Sequence, residues 1–328
     1  MAETRIADVV VPEVFSGYTF EPWYERSRYF RSGIVSMNSG LNSLLDGGGE
    51  TFNFPFWQPL AGDTNVPSET VSETINNITA SKQIAVRQER VKAYGANAIS
   101  AILAGSEPLD RFANDVREFW TKAYDKNAIA VTQGIYADNV ANDSSDLVFD
   151  GSASSFTDDG VIDAQGKLGE NGVVGRNDSE DYVGIAVHPD IYQTMRKNDL
   201  IDFVPISGQT RPIPFYMSME VIVDKNLPIL STSPNVYLNV IYKTGALQFG
   251  QSSARYEPTS LERNEGVGMG VTEVHTRRVF SVHPVGGAWQ GASVAGISPT
   301  DAELAAAANW DRVYNKENMR MVFYTSQA

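Results

Sequence analysis

Phe52, Phe54 and Phe56 alternate with Asn53 and Pro55, the period-two pattern of a strand with one apolar face. The Gly47–Gly49 run opens this stretch, and Pro55, Pro59 and Pro67 exclude helix and argue against a central strand. From Thr70 to Lys92 the chain returns as a mostly polar strand pattern, with Val71, Ile75, Ile84, Val86 and Val91 as its apolar positions. Residues 46–92 therefore predict a long extended hairpin. Its few large apolar side chains bury too little surface to offset the entropy of ordering the segment. Two arrangements remain open: a hairpin folded back on its own domain, or an arm held by another surface, whose strand edges need covering.

Periodicity changes after the hairpin. Leu109, Phe112, Val116, Phe119 and Ala123 recur at three and four residues, and Ala113 and Trp120 widen the stripe. Glu107-Pro108 marks the start, so the pattern predicts a core helix from about 107 to 134, ending near Gly134. Asp110, Asp115, Glu118 and Lys122 mark its wet side. Residues 138–180 read as loop. Tyr182–Val187 reads as a buried strand, followed by a helix capped by Asp190 with Ile191 and Met195 inward. Strands follow at 221–223, 237–242, 271–282 (Val274, Phe280 and Val282 on one face) and 319–324. Helices and strands are mixed without βαβ alternation, which predicts an α+β fold. Residues 1–45 are irregular and rich in aromatics, an arm or a capping segment.

Composition narrows the class. The chain has 328 residues, 42% apolar and 20% charged, enough for two domains or one core with large excursions. No apolar run is long enough to span a bilayer, and the first residues lack the basic-then-apolar order of a secretory signal. There is no cysteine, which excludes disulfides and thiolate metal sites. Net charge is −14, and residues 138–181 hold eleven acids against two bases. That charge excludes a sequence-specific DNA reader.

Catalytic chemistry does not assemble. The three histidines, His188, His275 and His283, lack metal-site spacing, and no serine sits in a nucleophile elbow. Gly266, Gly268 and Gly270 precede a strand where a phosphate loop precedes a helix, so they read as a bend. The Asp-rich 143–163 stretch lacks the spacing of a calcium loop. No cofactor is expected.

The order of parts resembles a known family. VPEVFSGY near the start is similar to an N-terminal arm. YVGIAVHPDIYQTMRKNDLIDF, MEVIVDKNLPI and VYLNVIYKTGALQFGQ resemble an axial domain. TRRVFSVHPVGGAW and NWDRVYNKENMRMVFY resemble closing segments. Together they resemble the major capsid proteins of tailed bacteriophages, with the Hong Kong 97 fold.

The resemblance implies an N-terminal arm (1–45), an extended loop (46–92), a peripheral domain with a long spine helix (93–140 and 266–328) and an axial domain (141–265). The acidic 138–181 segment is expected as a surface insertion. It implies a virion shell subunit without catalytic activity, assembled in the host cytoplasm as hexamers and pentamers around non-specifically contacted DNA. A separate scaffolding protein, a portal and a decoration protein are the further expected partners.

Candidate contacts between subunits are Phe54, Phe56 and Trp57 in the loop, Trp23 and Tyr24 in the arm, and the charges Asp63, Glu69, Lys82, Arg87 and Arg90. Some shells of this family join subunits covalently through lysine and asparagine. Lys82, Asn315 and Asn318 are the residues of that type here, with no catalytic acid marked beside them. Two other readings stay open: an encapsulin-like compartment shell, and an α+β hydrolase or sugar-binding protein using the 138–181 carboxylates.

Overall fold

The computed structural model describes residues 27–60, 64–67, 69–70, 72–73, 75–97, 108–173, 182–205, 212–252, 257–266 and 270–328. A short helix α1 (Arg28–Arg31), capped by Ser27, leads into strand β1 (Val35–Met37) and helix α2 (Ser39–Gly47), capped by Asn38. Tyr29, Ile34, Leu41 and Leu45 are buried. Of the two arrangements left open for residues 1–45, the capping segment describes residues 27–45, and the remainder lies outside the described residues. The polar N-caps matter here because each satisfies helix-terminal N–H groups that the fold would otherwise leave bare.

β2 (Thr51–Trp57) and β3 (Ala80–Val86) form the hairpin, in register from Thr51↔Val86 at the root to Trp57↔Ala80. β4 (Gln88–Asn97) follows at once. The return strand thus starts at Ala80, not at Thr70, and runs past Lys92. Pro55 is tolerated because β2 is an edge strand.

The long helix α3 (Pro108–Asn142) spans about 50 Å at 1.5 Å per residue. Its inward stripe is Val116, Trp120, Tyr124, Ala128, Val131 and Ile135. Leu109, Phe112 and Ala113 lie where side chains are outside the described set, and Phe119 stays partly exposed, edge-on to Tyr94. The helix does not end near Gly134. That glycine is interior, at a point where Trp310 and the Leu304 carbonyl press against the helix.

The described part of the segment expected to be a loop-like insertion, up to Val173, is packed. β5 (Val148–Ser155), α4 (Asp158–Gly166) and α5 (Glu170–Val173) occupy it. Val148, Phe156, Val161, Ala164 and Leu168 enter the main core. The acids line the wet side of these elements, which is why composition alone made them look like loop.

The remaining elements are β6 (Tyr182–Val187), α6 (Pro189–Lys197), β7 (Asp202–Val204), β8 (Ile213–Tyr216), β9 (Met219–Val223), β10 (Ile229–Thr232), β11 (Asn235–Lys243), β12 (Leu247–Gln251), β13 (Thr259–Asn264), β14 (Val271–Pro284), β15 (Gly287–Trp289), α7 (Asp301–Leu304), β16 (Trp310–Arg312) and β17 (Met321–Gln327). The cap of α6 is His188, not Asp190: Pro189 takes the first helical position, and His188 Nδ1 accepts the Asp190 N–H at 3.3 Å.

The described residues form three sheets. The largest runs β5-β17-β11-β6-β9-β8-β7, with β10 paired to β11. A second has the order β1-β12-β14-β13, with β4 along β14. A third, β16-β15-β3-β2, carries the hairpin. The division expected at 265/266 is not followed strand by strand. β12 lies with β14, and β17 completes the sheet of β6 and β11. α3 joins the sheets: Tyr124 packs edge-on against Phe249 and Phe280, and Tyr242 donates to Thr132 at 3.1 Å.

Candidate functional site

The hairpin divides into a rooted base and a bare tip. Phe52 is buried with Leu41, Leu45, Ala85 and Val279 in a small core of their own, and Phe54 packs against it. Phe56 stands edge-on to Tyr314, ring centroids 4.8 Å apart. Gln83 locks the other strand: its amide donates to the Tyr314 hydroxyl (2.8 Å), and its Oε1 accepts the Gly286 N–H (2.8 Å). His283 Nε2 lies 3.1 Å from the same oxygen. Burial pushes the His283 pKa down to about 4, so its imidazole is neutral near pH 7.

Between Trp57 and Ala80 no described residue is buried. Every described residue from 58 to 79 is exposed and none is in helix or strand. Trp57 is 72% exposed, Leu60 82%, Val66 87% and Ile75 90%. A row of large apolar groups in water at the end of a fixed hairpin marks a surface that another body covers. The two arrangements left open by the sequence thus apply to different halves: the base lies on its own subunit, and the tip projects.

The other candidates separate in the same way. Glu69 and Lys82 are exposed. Arg87 pairs with Glu89 at 2.8 Å, and Arg90 with Asp301 at 3.1 Å, both within the subunit. Trp23, Tyr24 and Asp63 lie outside the described residues. The sequence missed Gln83 and Tyr314, which fix the hairpin. A polar residue on the inward face of a mostly polar strand carries no local signal.

Carboxylates of the 138–181 segment are tied to structure. Asp143 and Asp146 close on Arg312 at 3.2 and 2.9 Å, and Asp150 accepts from Thr325 Oγ1. Asp158 and Asp159 stand in the first turn of α4, where the helix dipole favours them. Among the described residues, no group of three or more acids or histidines is placed to hold a metal ion, and no helix is long and apolar enough to cross a membrane.

Long helix, mixed sheets and outlying hairpin define a shell-subunit architecture, the Hong Kong 97 fold. The structure is similar to the capsid asymmetric unit of cyanophage Pam1 (TM-score 0.59, 9% identity, 93% of each chain). It is also similar to the capsid of Ralstonia phage GP4 (TM-score 0.58, 9% identity, 92% of each chain). No family model matches the chain. It is 32% identical to the major capsid protein of Bacillus phage SPP1 over 98% of both chains. The chain belongs to the major capsid proteins of tailed bacteriophages.

Proposed function

We propose that this chain assembles as hexamers and pentamers into an icosahedral head that encloses a DNA genome. The observation that carries the reading is the hairpin with a rooted base and an exposed apolar tip, in a chain matched end to end by a major capsid protein. Such a hairpin makes a heterologous contact, donor tip to acceptor surface, which closes into rings when the rotation closes. Many modest contacts per subunit then sum to a stable shell. The proposed division is an N-terminal arm (1–45), an extended loop (46–92), a peripheral domain (93–140 and 266–328) and an axial domain (141–265). Phe54 and Phe56 hold the hairpin base, Trp57, Glu69 and Lys82 face a neighbour, and Trp23, Tyr24 and Asp63 join them.

The proposed partners are a separate scaffolding protein, a portal, a decoration protein and non-specifically bound DNA, with assembly in the host cytoplasm. The role is geometric, with no catalytic residue and no cofactor assigned. Sedimentation and negative-stain microscopy of the purified protein, with and without co-expressed scaffolding protein, test it. Closed particles are expected. A monomer at every concentration in both conditions overturns it, and particles that hold an enzyme cargo in place of DNA in infected cells favour a compartment shell.

A further inference from the structure

We propose that the cleft between α1, α3 and the end of β9 binds the primary ammonium group of a small aliphatic amine, held by Asp125, Asp224 and the Tyr29 hydroxyl. The cleft shares no residue with the hairpin.

Its volume is about 360 Å³. Asp125 lines it from α3, and Asp224 from the chain just past β9. Asp125 Oδ1 accepts the Ser27 hydroxyl at 2.5 Å. Asp224 Oδ1 accepts the backbone and side-chain N–H groups of Asn226, each at 2.8 Å. These donors are neutral, so they leave both charges in place. Burial lifts the Asp125 pKa to about 6, and Asp224 raises it by more than the exposed Arg28 lowers it. At pH 7.5 the cleft therefore carries negative charge that its own side chains do not cancel. Glu118 and Lys122, both largely exposed, answer each other at 2.5 Å.

Tyr29 points to a ligand independently. Its side chain is 1% exposed and lines the cleft, and its hydroxyl has no hydrogen-bond partner. A buried hydroxyl without a partner is costly. Burial raises its pKa, Tyr242 adds to that, and the charges of Asp224 and Asp125 add further. The hydroxyl thus lies within electrostatic reach of both carboxylates.

Three acceptors around one small cleft match one chemical group. A primary ammonium carries three N–H donors and no acceptor, so it can serve both carboxylates and the phenol oxygen at once. Its bonds to carboxylate are of the stronger, charge-assisted kind. Ile222 and Val223 give the alkyl chain an apolar wall. A hard metal ion fits less well, because it takes about six or more oxygens. Among the described residues no three acids or histidines are grouped to hold one. A bound amine fastens α1 to α3 and to the end of β9, since its three contacts come from those three places.

The probe is n-butylammonium, titrated into the purified protein at pH 7.5 and low salt. Saturable binding is expected by calorimetry, with slower amide hydrogen exchange at residues 29–32. Asp125→Asn and Asp224→Asn should each weaken binding about tenfold, and Tyr29→Phe, which keeps the ring, about threefold. Tetramethylammonium, equal in charge but without N–H groups, should bind about tenfold more weakly or worse. Replacing two remote exposed acids, Asp163→Asn with Glu262→Gln, should leave binding unchanged.

Absence of saturable binding overturns the proposal. So does tetramethylammonium or Mg²⁺ that binds as tightly as butylammonium; these comparisons need no variant, so they decide even where a substitution disturbs folding. A folded Asp125→Asn, Tyr29→Phe chain that binds undiminished also overturns it. Binding to dissociated subunits that vanishes in particles gives the cleft to a neighbour's lysine and overturns the free amine as its occupant.

Discussion

A β-carbon at Gly134 would stand 2.2 Å from the Leu304 carbonyl oxygen and 2.4 Å from the Trp310 indole. The same indole donates to that carbonyl at 2.7 Å. Gly134 is thus the point where the long helix receives the C-terminal part of the chain. Gly134→Ala should gain about 1 kcal/mol in helix propensity and lose more to overpacking. A net loss of about 2 kcal/mol is expected in urea denaturation, and a variant as stable as the parent would show that Trp310 can move aside.

Trp57 is exposed on the isolated subunit, so its removal should leave that subunit intact. Trp57→Ala is expected to change stability by less than about 0.5 kcal/mol, with the protomer soluble and particle yield sharply reduced. Normal yield in sedimentation would remove Trp57 from the interface.

His283 sets an acid limit. Its folded pKa of about 4 lies below the ordinary 6.5, so the unfolded chain binds a proton that the folded chain refuses. Its contribution is fully present above pH 6.5 and is lost as pH falls toward 4, on the order of 3 kcal/mol in all. His283→Gln should flatten stability against pH across that window, as read from denaturation at pH 7 and 4.5. An unchanged slope would clear His283 of the effect.

Asp125 works in the opposite sense. Burial lifts its pKa to about 6, and Asp224 adds to the lift, while the Ser27 hydroxyl at 2.5 Å and Arg28 hold it down. The folded protein therefore loses stability as pH rises from 3.8 through 6. Asp125→Asn keeps an acceptor for Ser27 without the charge. It should add about 2 kcal/mol at pH 7.5 and nothing at pH 3.5. Equal stability of the two proteins at pH 7.5 would refute this.

Sequence alone showed those parts of the fold that have one strong local period. Val116 and Trp120 of the helical stripe and Val274, Phe280 and Val282 of one strand face are buried, whereas Phe119 and Ala123 sit at the margin of the stripe and the inward Tyr124 went unread. Gly134 misled because a glycine near the end of an apolar stripe signals a helix stop, and only a partner 170 residues away shows otherwise. Val148, Phe156, Val161 and Leu168 were missed because three short elements share them, none long enough to show a period. At the candidate site, Phe52, Phe54 and Phe56 announced the strand. What separates base from tip is contact with Tyr314, Gly286 and His283, all 200 or more residues distant.

β17 lies between β5 and β11, pairing parallel with the first and antiparallel with the second. It is also the last strand of its sheet to leave the ribosome. Until residue 327 has emerged, both neighbours carry open edges, and open edges invite wrong partners. Synthesis order therefore withholds the finished building block until translation has passed the final strand. A prematurely terminated product lacks the strip that fastens β5 to the rest of its largest sheet, and no sound building block results.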